Sequence, residues 1–272
     1  MKNKKLAILL PIIALSACAS LGKEINEEEA VQKAYAIDRT ISESKKEVET
    51  FIEISTSKGS GDTKETQHLI RSFVRNSKGE MHYKAEENYY IYGKTYNVSV
   101  DYYYVLDEKH GQVVYLDNYR SNNQGDCYQI AYVGDEARAS NVSILEDVYF
   151  TSYLNNSFES ASLTVATYNM PEDNVIRKFY STGNGNLTVQ VNDSSGSNYM
   201  PNTTPFVEKT DLESAEATIT FDGGLFKNAT IKADYKDGNK TVKVVKKYKD
   251  HYTFSLPKNW EKTIKEHFDP RA

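Results

Sequence analysis

The chain has few of the side chains from which chemical centres are built. Its 272 residues include two cysteines, five histidines and one tryptophan. Two cysteines, Cys18 and Cys127, exclude a disulfide-stapled scaffold, so the fold has to stand on a hydrophobic core. The histidines His68, His82, His110, His251 and His267 form no HxH or HExxH pattern and no Cys/His cluster with metal spacing. No metal site is expected: His68 and His82 could face each other across a hairpin, but with no third ligand they read as surface strand residues. Nucleophile elbows, Walker loops and a Ser-x-x-Lys motif in a recognisable setting are missing too. The glycine-rich stretches Gly59–Gly61 and Gly183–Asn186 lie between strand patterns, with no following helix to hold a phosphate, and read as turns. The segment Asp234–Asn239 has the wrong oxygen spacing for an EF-hand and reads as a hairpin turn. The carboxylate pairs Glu86–Glu87 and Asp107–Glu108 fall at expected strand ends, where solvated charge is the ordinary state. The expectation is therefore a protein that is not an enzyme and takes no cofactor. A net charge of −5 makes nucleic acid an unsuitable partner.

Long apolar runs are also missing, with one informative exception. Lys2, Lys4 and Lys5 precede an apolar run from Leu6 to Ala14. That run falls well short of the roughly 20 residues needed to span a bilayer, and its basic start marks it as an export signal. Leu15-Ser16-Ala17-Cys18 follows directly. This tetrad resembles the lipobox of bacterial lipoproteins, and the likeness covers the first 18 residues. It implies that the Cys18 thiol receives a diacylglyceryl group and that the signal is cut just before it. Two acyl chains, at about 0.8 kcal/mol per buried CH2, make a stable anchor where one is marginal. The implied layout is residues 1–17 as signal peptide, 18–25 as lipidated cysteine and tether, and 26–268 as a single β-rich domain. The implied location is the extracytoplasmic face of a bacterial membrane. Losing three signal lysines takes the formal charge to about −8. Cys127, then the last free thiol, reads as a small buried hydrophobe in a strand.

Tyrosine is the abundant aromatic. There are 21 copies against 10 phenylalanines, and 12 of the 21 lie between Tyr83 and Tyr132. A tyrosine ring with its hydroxyl suits a half-wet cavity or an interaction surface. A compositional bias shared with the abundant Lys, Asn and Ile accounts for the number equally well.

Asn26, followed by Glu29 in capping-box position, predicts a helix over about residues 26–44. Ala30, Ala34, Ile37 and Ile41 form its apolar stripe. From Glu47 the period changes to two, and strands separated by turn residues follow one another to Val133. Ser143 and Glu146 predict a mid-chain helix within residues 136–160. Strands are expected to resume at 163–168, 175–180 and 187–191. A long polar loop follows over 193–209, then four strands over 217–256 and a short terminal helix near Trp260 and Ile264. Strands following strands without intervening helices predict a mainly β, α+β fold built on an antiparallel meander.

This order of elements resembles the half-open barrels of periplasmic lipoprotein carriers and of the lipid-carrying lipoproteins of mycobacteria. In those families a curved sheet wraps around helices and encloses an apolar cavity for acyl chains. The resemblance implies a lipid or other hydrophobic ligand, with Ala30, Ala34, Ile37 and Ile41 facing the cavity. The competing expectation is a surface interaction module with a filled β core.

Overall fold

The computed structural model describes residues 21–120, 128–134, 160–165, 175–194 and 210–264. The chain joins the sheet through β1 (Lys23–Ile25), in residues assigned above to the tether, and turns at once into α1 (Glu27–Glu43). Asn26 caps that helix as expected, its side-chain oxygen accepting the Glu29 N–H at 2.9 Å, while Glu27, Glu28 and Glu29 face the positive end of the dipole. A meander follows: β2 (Glu47–Lys58), β3 (Glu65–Arg75), β4 (Met81–Ile91), β5 (Lys94–Asp107), β6 (Gly111–Arg120) and β7 (Tyr128–Val133). The short helix α2 (Ala161–Val165) precedes β8 (Val175–Ser181), β9 (Leu187–Asp193), β10 (Leu212–Asp222), β11 (Leu225–Tyr235) and β12 (Gly238–Lys249).

All described pairings within these strands are antiparallel. They join into one open sheet in the order β1-β8-β9-β10-β11-β12-β2-β3-β4-β5-β6-β7, so the expected mainly β, α+β class is the one observed. The C-terminal meander is inserted ahead of the N-terminal one, and β12 lies against β2 along the whole of both strands, from Gly238–Lys58 to Lys249–Glu47. Gly238 is required there. A Cβ on it would lie 1.9 Å from the Ser57 carbonyl oxygen, so only glycine lets the two backbones close.

The register divides the sheet into two faces. Ile52 lies opposite Val244 and Arg71, Thr50 opposite Phe73, Phe73 opposite Tyr83, and Tyr83 opposite Tyr102, all on the inner face that carries α1. Helix α1 touches β8, β9 and β11. These strands span three spacings of about 4.8 Å, wider than a bare helix, so the sheet curls around it. Alanines at the front of the stripe permit the close approach. Thr40, one turn from the helix end, packs on Gly224, where a Cβ would meet Thr40 Cγ2 at 2.7 Å.

Three sequence expectations need correction. Leu163–Tyr168 was expected as a strand, but Leu163–Val165 belong to helix α2. Its first N–H groups are satisfied from a distance: the Asp38 carboxylate of α1 accepts from Ala161 and Ser162, and Ser160 Oγ accepts from Leu163 at 3.1 Å. Tyr252–Leu256 forms no strand. The Tyr252 N–H donates to Glu47 and its carbonyl accepts from Asn76 Nδ2 at 3.1 Å, so the backbone groups are bonded to side chains instead of a neighbouring strand. The terminal helix is only a 3-10 turn, Trp260–Thr263. The expected helix around Ser143 to Ser152, and most of the 193–209 loop, lie outside the described residues.

Residues 250–264 instead form a strap over the outer face. Glu47 holds the strap at Tyr252, Phe254 leans on the His82 ring at 6.4 Å, Trp260 meets His110 edge-on at 5.3 Å, and Ile264 bridges to Ala131 on β7. The strap thus covers the outer side of β6, and Val113, Val114, Tyr115 and Leu116 are all buried.

Candidate functional site

The expected cavity-facing residues of α1 lie in a hydrophobic cluster between the helix and the sheet. Ala30 and Ala34 are 0% exposed and Ile37 is 1% exposed, packed in one cluster with aliphatic residues of β8–β12 and β2; Ile41 is half-buried against it. Cys18 and Cys127 lie outside the described residues.

Two open grooves lie at the far end of β2, β3 and β4, one on each face of the sheet. The register fixes which end this is. Lys23 pairs with Ser181, at the end of the sheet shared by Leu187, Phe221 and Leu225. The grooves lie at the opposite end, where Tyr235, Gly238, Lys58 and Ile91 lie. The inner groove has a volume of about 420 Å³, within the range of about 300–1,000 Å³ of small-ligand sites. Tyr89, Ile91 and Tyr235 give it apolar surface, and Lys58, Lys240, Glu65, Asp211 and Asp237 give it edges charged with both signs. The outer groove, of about 370 Å³, is lined by hydroxyl and amide side chains and by His68.

A polar network borders the inner groove. Arg71 on β3 and Glu87 on β4, with side chains 11% and 14% exposed, form an ion pair at 2.7 Å. Tyr89, two residues on along the same face, donates its hydroxyl proton to the other Glu87 oxygen. Burial and the neighbouring Glu87 carboxylate push the Tyr89 hydroxyl up to about 12, so it remains a donor at any physiological pH. Glu87 thus departs from the solvated state expected for it. A window of sequence could not have revealed this, because the partner comes from another strand.

On the outer face His68 Nε2 sits 3.0 Å from Glu53 Oε1, and Lys243 Nζ lies 3.1 Å from Glu53 Oε2. Burial would raise Glu53, but the hydrogen bonds from His68 and Lys243 overcome it and hold the carboxyl below its ordinary range. His68 and His82 do not face each other. His68 lies opposite Asn88 and His82 opposite Val74, and His82 bonds to Asp101 at 2.6 Å while stacking on Tyr103. Among the described residues no three His, Cys, Asp or Glu side chains converge as a metal site, and no helix is long and apolar enough to cross a membrane.

No protein-family model matches the sequence, and no curated protein matches it. Among solved structures, LprF from Mycobacterium bovis aligns over 85% of this chain and 96% of its own, at 12% identity and a TM-score of 0.33. An outer membrane lipoprotein-sorting protein domain from Vibrio parahaemolyticus aligns over 87% of this chain and 98% of its own, at 10% identity and a TM-score of 0.19. A DUF1329 family protein from Desulfovibrio piger aligns over 81% and 92%, at 8% identity and a TM-score of 0.21. At such scores the likeness assigns neither ligand nor partner.

Proposed function

We propose that the chain is a membrane-anchored extracytoplasmic lipoprotein that binds a lipid or other amphipathic hydrophobic ligand on the inner face of its sheet. The address is supported by the basic, apolar and Leu15–Cys18 segments in their proper order. The observation that carries the ligand is the inner groove, where the rings of Tyr89 and Tyr235 and the Ile91 side chain offer an apolar wall beside a charged edge of Lys58, Lys240, Glu65, Asp211 and Asp237. Such a lining suits a molecule with an apolar body and a polar end. An acyl chain longer than the groove would have to part α1 from β8, β9 and β11. Ala30, Ala34, Ile37 and Ile41 would meet ligand only in that opened state.

Metabolic labelling with palmitate tests the anchor: label is expected in the wild-type chain and lost in Cys18→Ser. Organic extraction of the purified protein, with lipid mass spectrometry and binding of a fluorescent fatty acid, tests the ligand. Co-purified lipid, with binding weakened about tenfold in Tyr89→Ala, supports the proposal; tenfold corresponds to about 1.4 kcal/mol. Absence of both lipid and fatty-acid binding overturns it. A second reading, an anchored interaction module without a ligand pocket, is favoured by the burial of Ala34 and Ile37 against the sheet. It would then stand.

A further inference from the structure

Two consecutive rows of side chains on the outer face, read across five adjacent strands, contain no charged residue. The first row runs Asn239, Ser57, Thr66, Tyr90 and Thr95 across β12, β2, β3, β4 and β5. The second, one pleat closer to the middle of the sheet, runs Thr241, Ser55, His68, Asn88 and Asn97. The next row again holds charge, with Lys243, Glu53 and Glu86. In a chain that is 26% charged and 39% hydrophobic, roughly six or seven of ten such positions would be charged or hydrophobic at random. Here one is, and it is Tyr90.

The same plaque forms most of the 370 Å³ outer groove. It lies at the end of the strands away from the point where Lys23 joins the sheet at Ser181. The C-terminal strap covers His82, His110 and Ala131 on this face, and nothing places it on the two rows. Tyr90 is 40% exposed, and Tyr92 at the adjoining turn is 84% exposed.

We infer that this plaque binds an extended, uncharged polysaccharide of the cell envelope, lying across the strands. Hydroxyl and amide side chains can both donate and accept, which matches a ligand whose polar groups are hydroxyls and acetamides. An ammonium or carboxylate would pay desolvation against a neutral partner with no charge to meet it; the two rows hold neither, and the Glu53 carboxylate beside them is engaged by His68 and Lys243. Tyr90 offers a ring face to the C–H side of a pyranose while its hydroxyl stays wet. The strands repeat about every 4.8 Å, close to one sugar unit in an extended β-linked chain, so five strands present about four or five equivalent steps. A lipid or an acidic polymer finds neither an apolar trough nor a cation here. The site is on the opposite face from the proposed lipid groove and does not depend on it.

The test is titration of the full-length protein in detergent with neutral β-linked hexose and N-acetylhexosamine oligomers of one to six units, beside an anionic polysaccharide. Affinity is expected to rise at least tenfold from monomer to tetramer and then to level off, with the anionic polymer silent. Tyr90→Ala should weaken tetramer binding about tenfold, and Thr66→Glu should abolish it. Tyr90 is a half-exposed surface residue, so its variant tests the surface even if Thr66→Glu fails to fold. Tyr235→Ala, which lines the inner groove and not the outer one, should leave sugar binding unchanged while lowering fatty-acid binding. Failure of all the neutral oligomers to bind, binding without length dependence, or binding indifferent to Tyr90→Ala would overturn the inference whatever the lipid experiments show.

Discussion

The inner face of the sheet is packed by different chemistry on its two sides. Beneath α1, strands β8–β12 and β2 bury alanine, valine, isoleucine and phenylalanine, and the helix meets them with Ala30, Ala34 and Ile37. Across β3–β7 the buried set is Tyr83, Tyr102 and Tyr132 with Phe73, Ala85, Val114 and Leu116. The ion pair Arg71–Glu87 stands where the two meet, Arg71 lying opposite Ile52. The aliphatic side therefore takes its stability from apolar area and close fit. The tyrosine side adds hydroxyls that have to be satisfied in place. Tyrosine enrichment consequently carries no single meaning in this chain: Tyr83, Tyr102 and Tyr115 are among the largest fully buried side chains, whereas Tyr90 and Tyr92 face solvent.

The comparison can be broken most forcefully on the aliphatic side. Ile37→Ala should cost about 2–5 kcal/mol, because the fully buried site can relax only partly around the cavity. Urea unfolding should show a lower midpoint at unchanged slope; a loss below about 1 kcal/mol would mean that α1 is not integral to the core. At the junction, Arg71→Met alone should cost about 3 kcal/mol by stranding Glu87, while Arg71→Met with Glu87→Leu should come close to wild type. Additive losses in that double-mutant cycle would show that the two side chains contribute independently and that the pair is not coupled. On the tyrosine side, Tyr102→Phe should cost at most about 0.5–1.5 kcal/mol, since ring packing remains and no more than one hydroxyl bond can be lost.

The smallest effect belongs to the strap. Glu47 accepts the backbone N–H groups of Tyr252 and Ser77, which hold its carboxyl below the ordinary value of 4.5. A group whose pKa is depressed on folding contributes stability above the unfolded value and loses it as pH falls through the folded value. Limited proteolysis within 250–256 should therefore accelerate on acidification below 4.5, and Glu47→Gln should shift that behaviour to neutral pH. Cleavage indifferent to both would show that the aromatic contacts of Phe254 and Trp260 suffice.

Local information was enough to read the Asn26 cap, the period-two strands and the turns between them, since each is written within a few residues. Features created by register were not legible. Helix α2 draws its cap from Asp38, 123 residues before Ala161 in the chain, and the strap is held by Glu47 from the far end of the sequence. Glu87 looked like a solvated strand-end charge because Arg71 is its neighbour only across the β3–β4 pairing. The uncharged plaque is spread over five separate segments, each unremarkable alone. At the α1 stripe, periodicity identified the buried residues correctly but could not say whether they face a cavity or a filled interior. That is decided by the strands opposite.

The seam between β2 and β12 also constrains how the molecule assembles. Strands β2–β5 can zip together by successive hairpins as soon as they emerge, since each pairs with its immediate neighbour. The other edge of β2, 12 residues long, has no partner until the chain has advanced to Lys249. A nascent or truncated chain ending before Gly238 would therefore carry an unprotected strand edge in what becomes the middle of the sheet, open to pairing with another copy. Completing the C-terminal meander is thus also the step that removes the site of self-association.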